Sequence, residues 1–194
     1  MDFVSGAIFL DRDGTLIEDV HYLRNIEDIH LLPRAVEAVR RINQSGIPAV
    51  IVTNQSAVAR GMLSEGELVQ IQLEINRIFD DNGAHFDAFY YCPHHPNFGD
   101  HTYRIECDCR KPKPGMLLGA AKELRLSLSE SVMVGDSESD VQAGRAVGCK
   151  TVLLAPAATS AEKDFPNTVA DFVAFDILNA VDWALENMSE QKSD

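Results

Sequence analysis

Residues 7–15, Ala-Ile-Phe-Leu-Asp-Arg-Asp-Gly-Thr, carry a short apolar run into two carboxylates, Asp11 and Asp13, and then into a glycine turn. Ala7 to Leu10 is apolar on both faces, the pattern of a buried parallel strand, so the carboxylates fall where that strand ends. Residues two apart in an extended chain point the same way, and ligands of open α/β sheets gather at the carboxyl edge of the strands. Two anions facing one pocket repel each other and call for a shared proton or a cation. A magnesium ion supplies the cation while leaving one carboxylate free to attack phosphorus. The competing reading is an acidic turn, since Asp-Gly is a common turn dipeptide.

Three further segments carry polar chemistry at the ends of apolar runs. Pro48 to Val52 runs into Thr53, Asn54, Gln55 and Ser56; Val132 to Val134 runs into Gly135-Asp136-Ser137-Glu138-Ser139-Asp140; and Arg110-Lys-Pro-Lys113 precedes a helix opened by Pro114. Asp136 stands where a second carboxylate can meet a metal. Asp140 reads either as a group that reaches the metal through water or orients Asp136, or as an acidic residue favoured by a helix N-terminus. A Thr53 hydroxyl and a lysine can donate to phosphoryl oxygens as charge spreads over them, and both Lys111 and Lys113 stand as that lysine. The Arg110 guanidinium suits a second anionic group on a substrate, or a surface salt bridge. Arg60 is a weaker candidate of the same kind.

Cys92-Pro-His94 and, after twelve residues, Cys107-Asp-Cys109 supply three thiolates and one imidazole, a closed tetrahedral set suited to structural zinc. On spacing alone His95 can replace His94. A long loop over 92–110 without periodicity needs something to order it, which a bound metal does. Cys149 lies apart and reads as a small buried apolar residue. No export signal precedes these cysteines, so disulfides are not expected.

Helices are predicted over Pro33–Gln44, from a Ser64/Glu67 capping box to about Asp80, over Pro114–Leu124, over Asp140–Val147 and near Ile177–Asn187. Strands are predicted at Ala7–Leu10, Pro48–Val52, Phe86–Tyr91, Ser131–Val134 and Thr151–Leu154. The alternation gives an α/β fold, a doubly wound, mostly parallel sheet of about five main strands. The chain of 194 residues fits one domain over 1–188, with the loop 92–110 inserted and a short polar tail, 189–194, expected to fray. Lysine and arginine total 17 against 30 aspartates and glutamates, a net charge of −13 that argues against nucleic acid as a partner. An anionic substrate must then be held by local positive charge. No apolar run approaches the about 20 residues of a membrane span, so a cytoplasmic protein with no membrane partner is expected. Without a coiled-coil stretch, a monomer is the default.

In their order along the chain, Asp11/Asp13, Thr53, Lys111 and Asp136 resemble the signature of the haloacid dehalogenase superfamily, over nearly the whole length. The resemblance implies a Rossmann-like core in which Asp11 is the nucleophile, Asp13 the acid and then the base, and Asp11, the Asp13 backbone carbonyl and Asp136 the magnesium ligands. It selects Lys111 over Lys113 for phosphate. It also selects His94 over His95 for zinc, because one subgroup carries a Cys-x-His and Cys-x-Cys loop in place of a large cap domain. Within that subgroup Thr-Asn-Gln-Ser at 53–56, the following Val-Ala-Arg-Gly and Cys-Asp-Cys-Arg-Lys-Pro at 107–112 resemble the heptose 1,7-bisphosphate 7-phosphatases, apart from Ala57 where glycine is expected. This implies a phosphorylated sugar substrate that meets Asp19, His21, Tyr22, Asn54, Gln55, Ser56 and Arg110. Histidinol-phosphate phosphatase is the rival enzyme, and a zinc-stabilised binding module without catalysis the rival of another class.

Overall fold

The computed structural model describes residues 6–155 and 168–189. Among them six strands, β1 (Ile8–Leu10), β2 (Ala49–Asn54), β3 (Ala88–Cys92), β4 (Val132–Gly135), β5 (Lys150–Leu154) and β6 (Phe172–Ala174), form one sheet in the order β3-β2-β1-β4-β5-β6. Every neighbouring pair is parallel. The helices are α1 (Ala35–Gln44), α2 (Ser56–Ala59), α3 (Glu65–Asp81), α4 (Gly115–Leu124), α5 (Glu138–Arg145) and α6 (Ile177–Ser189). The tail 190–194 lies outside the described residues.

Strand alternation explains the two cores. Ile8 and Leu10 of β1, Ile51 of β2 and Val132 and Val134 of β4 face one layer, with Val39 and Ile42 of α1, Leu68, Ile71 and Ile75 of α3 and Val181 of α6. Phe9, Val50, Val52 and Met133 face the other, with Met116, Leu117 and Ala120 of α4 and Ala143 of α5. Burial on both faces is why these strands read as unbroken apolar runs.

The Ser64/Glu67 capping box opens α3 as expected, with Glu67 N donating to Ser64 Oγ at 3.2 Å and Ser64 N to Glu67 Oε2 at 2.6 Å. Three expectations need correcting. Pro33 precedes α1 rather than occupying its first turn, because Arg34 adopts a left-handed conformation (φ 66°) and the helix begins at Ala35. Helix α5 begins before Asp140, because Ser137 and Asp140 make a second capping box that places Asp140 inside its first turn. A sixth strand, β6, joins the sheet: three residues are too few to show a period, and its pairing with β5 is secured by Asp171, whose Oδ2 accepts from Thr151 N at 2.8 Å and Thr151 Oγ1 at 3.0 Å.

Helix α5 rests close on the sheet at Gly144, where a Cβ would lie 2.8 Å from both Met133 Cβ and Thr151 Cγ2. In an exposed helix Gly→Ala stabilises by up to about 1 kcal/mol. Here overpacking is expected to reverse the sign, so Gly144→Ala should lose about 1–3 kcal/mol in chemical denaturation. A raised denaturation midpoint would contradict this packing.

Candidate active site and metal centre

The chain runs from β1 outward through β2 and β3, then returns to lay β4 on the other side of β1. That reversal opens a crevice at the carboxyl ends of β1 and β4, the place where doubly wound sheets bind ligands. Asp11 follows β1 directly and its N–H donates to Val134 O at 2.9 Å, so its position relative to β4 is fixed by the backbone. Asp136 follows β4. Its carboxylate occupies the space a side chain at residue 14 would need: Gly14 has φ +80°, and a Cβ there would lie 2.0 Å from Asp136 Oδ2. Glycine is thus required twice over, for the backbone angle and for the approach. Carboxylate oxygens of Asp11, Asp136 and Asp140 all lie within 4.8 Å of one another.

Of the two candidate lysines the structure brings in Lys111. Lys113 is half exposed, with Nζ 3.7 Å from Asp108. Lys111 is buried, and its ammonium meets Asp11 Oδ1 at 2.7 Å, Asp140 Oδ1 at 2.6 Å and Val52 O at 2.7 Å. Asn54 anchors its backbone in both directions: Asn54 Nδ2 donates to Lys111 O and Lys111 N donates to Asn54 Oδ1, each at 3.0 Å. Burial pushes the Asp11 carboxyl up to about 7 even though Lys111 pulls it down, with Asp140, Asp136 and Asp13 adding to the rise. Burial, then Asp140, pushes Asp136 up to about 6. Burial acts against the Lys111 cation, but Asp11 and Asp140 outweigh it and hold the ammonium above its ordinary range. Asp140 does more than the sequence suggested: Oδ1 pairs with Lys111 while Oδ2 accepts from Ser137 N at 3.1 Å and Ser137 Oγ at 2.7 Å.

Asp13 has its own partners. Arg12 grips it through Nε and Nη2 at 2.9–3.2 Å, and Gln55 Nε2 donates to Asp13 Oδ2 at 2.7 Å and to Thr53 Oγ1 at 2.9 Å. A cavity of about 150 Å³ opens beside Asp13, lined by Asp19, His21, Tyr22, Asn54, Gln55 and Ser56 together with Leu23 and Ala57. Six of the seven residues expected at a substrate thus meet in one place. The seventh, Arg110, lines a different recess, and its Nη1 donates to His94 O at 3.2 Å. Sequence reasoning missed Arg12 altogether, and it undervalued Arg60. The Arg60 guanidinium lies 3.7 Å from the Phe98 ring centre and 5.4 Å from that of Tyr22, so it joins the 92–110 loop to the Asp19–Tyr22 loop.

The second cluster gathers Cys92, His94, Cys107 and Cys109, all four of whose donor atoms lie within 4.8 Å of one another. Cys109 Sγ is 3.0 Å from Cys92 Sγ and 3.2 Å from Cys107 Sγ, and His94 Nδ1 is 3.3 Å from Cys109 Sγ. These separations are far beyond the about 2.05 Å of a disulfide and close to the edge of a tetrahedron of thiolates around one metal. The two donor sets differ in kind. Three carboxylates suit a hard divalent cation, and three sulfurs with a nitrogen suit a softer one. Tyr91 and Tyr103, whose hydroxyls donate to Glu65 Oε2 at 2.6 Å and Oε1 at 2.9 Å, fasten the loop to the start of α3.

A family model described as HAD-hyrolase-like matches residues 108–180. The D-glycero-beta-D-manno-heptose-1,7-bisphosphate 7-phosphatase of Vibrio cholerae serotype O1 is 43% identical over 148 residues, 76% of this chain and 80% of that protein. Its namesake from Escherichia coli K12 is 36% identical over 186 residues, 95% of this chain and 90% of that protein. The crystal structure of D,D-heptose 1,7-bisphosphate phosphatase from B. bronchiseptica, complexed with magnesium and phosphate, superposes with a TM-score of 0.80 at 29% identity, covering 94% of this chain and 99% of that one. On this likeness of sequence and fold, the chain belongs to the D-glycero-β-D-manno-heptose-1,7-bisphosphate 7-phosphatase family of the haloacid dehalogenase superfamily.

Proposed function

We propose that the protein removes the C7 phosphate of D-glycero-D-manno-heptose 1,7-bisphosphate, leaving heptose 1-phosphate for conversion to a nucleotide-activated heptose. The observation that carries the reading is the meeting of Asp11, Asp136 and Asp140 around Lys111, beside a polar cavity that Asp13 lines. An inert binding module has no use for that arrangement. The names of the relatives favour a heptose bisphosphate over histidinol phosphate.

Asp11, the Asp13 backbone carbonyl and Asp136 would hold magnesium, which when bound offsets the carboxylate charge and draws charge from the phosphoryl oxygens. Asp11 attacks phosphorus; as the new O–P bond forms, the bond to the C7 oxygen breaks and its electron pair takes the proton carried by Asp13. Asp13, now a carboxylate, then removes a proton from water, whose oxygen attacks phosphorus and releases Asp11 and inorganic phosphate. Thr53 Oγ1 accepts from Gln55, which leaves its own proton to donate to a phosphoryl oxygen. Lys111 balances the developing charge from the side of Asp11. Cys92, His94, Cys107 and Cys109 would hold zinc as a closed structural site. Asp19, His21, Tyr22 and Ser56 meet the sugar in the cavity beside Asp13, which Arg110 does not line.

Asp11→Asn should lower turnover by about 10³-fold or more with the fold intact, since an amide cannot be the nucleophile. On wild-type protein, kcat/KM for the heptose bisphosphate should exceed that for histidinol phosphate by about 10²-fold or more; a reversed ratio names the rival substrate. Protons compete with magnesium for Asp11 and Asp136, whose carboxyls are pushed up to about 7 and about 6. Calorimetry should therefore find magnesium binding weakened by about tenfold or more from pH 7.5 to 5.5, with protons released on binding. Affinity that is flat across this interval would show that these groups are not the ligands. Cys107→Ser should lower zinc content and melting temperature together, and unchanged values of both would remove the structural zinc site.

A further inference from the structure

Among the described residues Arg12 is the largest side chain that is fully buried, at 1% exposure. A buried guanidinium is costly unless paired, and Asp13 is the carboxylate it pairs with. Its backbone is equally fixed: Arg12 O accepts from Leu16 N at 2.9 Å and Ile17 N at 3.1 Å, which holds the turn after β1. From the other side comes Gln55, which is 6% exposed and held in place through Thr53. Asp13 is thus gripped between two groups that cannot easily move.

The grip is unequal at the two carboxylate oxygens. Oδ2 accepts from Arg12 Nε at 3.2 Å, Arg12 Nη2 at 2.9 Å and Gln55 Nε2 at 2.7 Å, while among the described residues Oδ1 accepts only from Arg12 Nη2, at 3.0 Å. A carboxylate oxygen offers two lone pairs in its plane, so Oδ2 has none left to carry a proton. We infer that Arg12 and Gln55 are positioning residues which saturate Oδ2 of Asp13 and so assign Oδ1 as the oxygen that passes the proton to the leaving alcohol. This rests on the proposed phosphatase reaction with Asp13 as its acid. In that step the pair of electrons from the broken P–O bond stays on the alcohol oxygen, Oδ1–H supplies the proton, and Asp13 is left ionised under the same clamp, ready to take a proton from water.

The effect is read from the leaving group. An alkyl phosphate expels a strongly basic alkoxide and needs the acid, whereas p-nitrophenyl phosphate expels a weakly basic phenolate and needs it little. Because kcat/KM reports steps only as far as transfer of the phosphoryl group to Asp11, the later hydrolysis drops out of the comparison. For Arg12→Lys, Gln55→Leu and Asp13→Asn, the ratio of kcat/KM on a simple alkyl phosphate, which makes no sugar contact, to that on p-nitrophenyl phosphate should fall by about tenfold or more in each. Loss of fold lowers both rates alike and leaves the ratio alone, so a merely structural role would not move it. If Arg12→Lys does not fold, as judged by its melting curve, Gln55→Leu decides alone. A ratio that falls in Asp13→Asn but in neither clamp variant overturns the clamp and leaves the acid in place. A ratio unmoved in Asp13→Asn overturns the acid itself and the clamp with it.

Discussion

Negative charge gathered at one buried edge of the sheet is the constraint around which the molecule is arranged. Asp11, Asp136 and Asp140 bring three carboxylates together, and Lys111 brings one ammonium. Three minus one leaves two negative charges, which matches the charge of a single divalent cation. Buried charges are tolerated only when paired or protonated, and burial already raises the Asp11 and Asp136 carboxyls, so a divalent cation would be the partner that lets all three ionise. The fold supplies what such crowding requires. Parallel register aligns the ends of β1, β2 and β4, the reversal of strand order opens the crevice, and Gly14 leaves room for the Asp136 carboxylate.

The Cys/His cluster belongs to the same arrangement. Its first member, Cys92, ends β3, and its last, Cys109, stands two residues before Lys111. Ordering the loop therefore orders the segment that carries the lysine into the core, where Asn54 receives its backbone. Arg110, between the two, ties back to the His94 carbonyl. On the outer side, Glu65 receives Tyr91 and Tyr103, and the Arg60 guanidinium bridges Phe98 and Tyr22. A loop of this length could not hold one shape by local contacts alone. Cross-links at its beginning, middle and end give it one, and in doing so set the wall opposite the sugar loop.

Much of this was legible from residue types because it rests on short-range rules. Apolar runs ending in polar groups marked β1, β2 and β4, the Ser64/Glu67 spacing marked α3, and paired Cys/His spacings marked the cluster. What escaped depends on contacts between distant residues. β6 has three residues and is defined by pairing to β5. Asn54 lines the cavity, as its residue type suggests, but that its amide also anchors a backbone 57 residues further on is a contact between distant residues. Nothing in the residue types singles out Arg12; its burial does. Asp140 illustrates both kinds: its place at a helix start was readable, while its pairing with Lys111 was not.

In the proposed reaction two aspartates, two residues apart, have opposite tasks, one to attack as an anion and one to deliver a proton. Sequence alone makes them equivalent. The structure separates them by giving each its own cation and its own degree of enclosure. Asp11 is drawn into the charged cluster beside Lys111, with Asp136 and Asp140 close by. Asp13 turns to Arg12 and Gln55 at the cavity lined by Asp19, His21 and Tyr22, with its side chain still 23% exposed. Paired carboxylates divide acid from nucleophile when their surroundings differ. Here Asp11 is surrounded by Lys111 and the Asp136 and Asp140 carboxylates, whereas Asp13 is surrounded by Arg12 and Gln55.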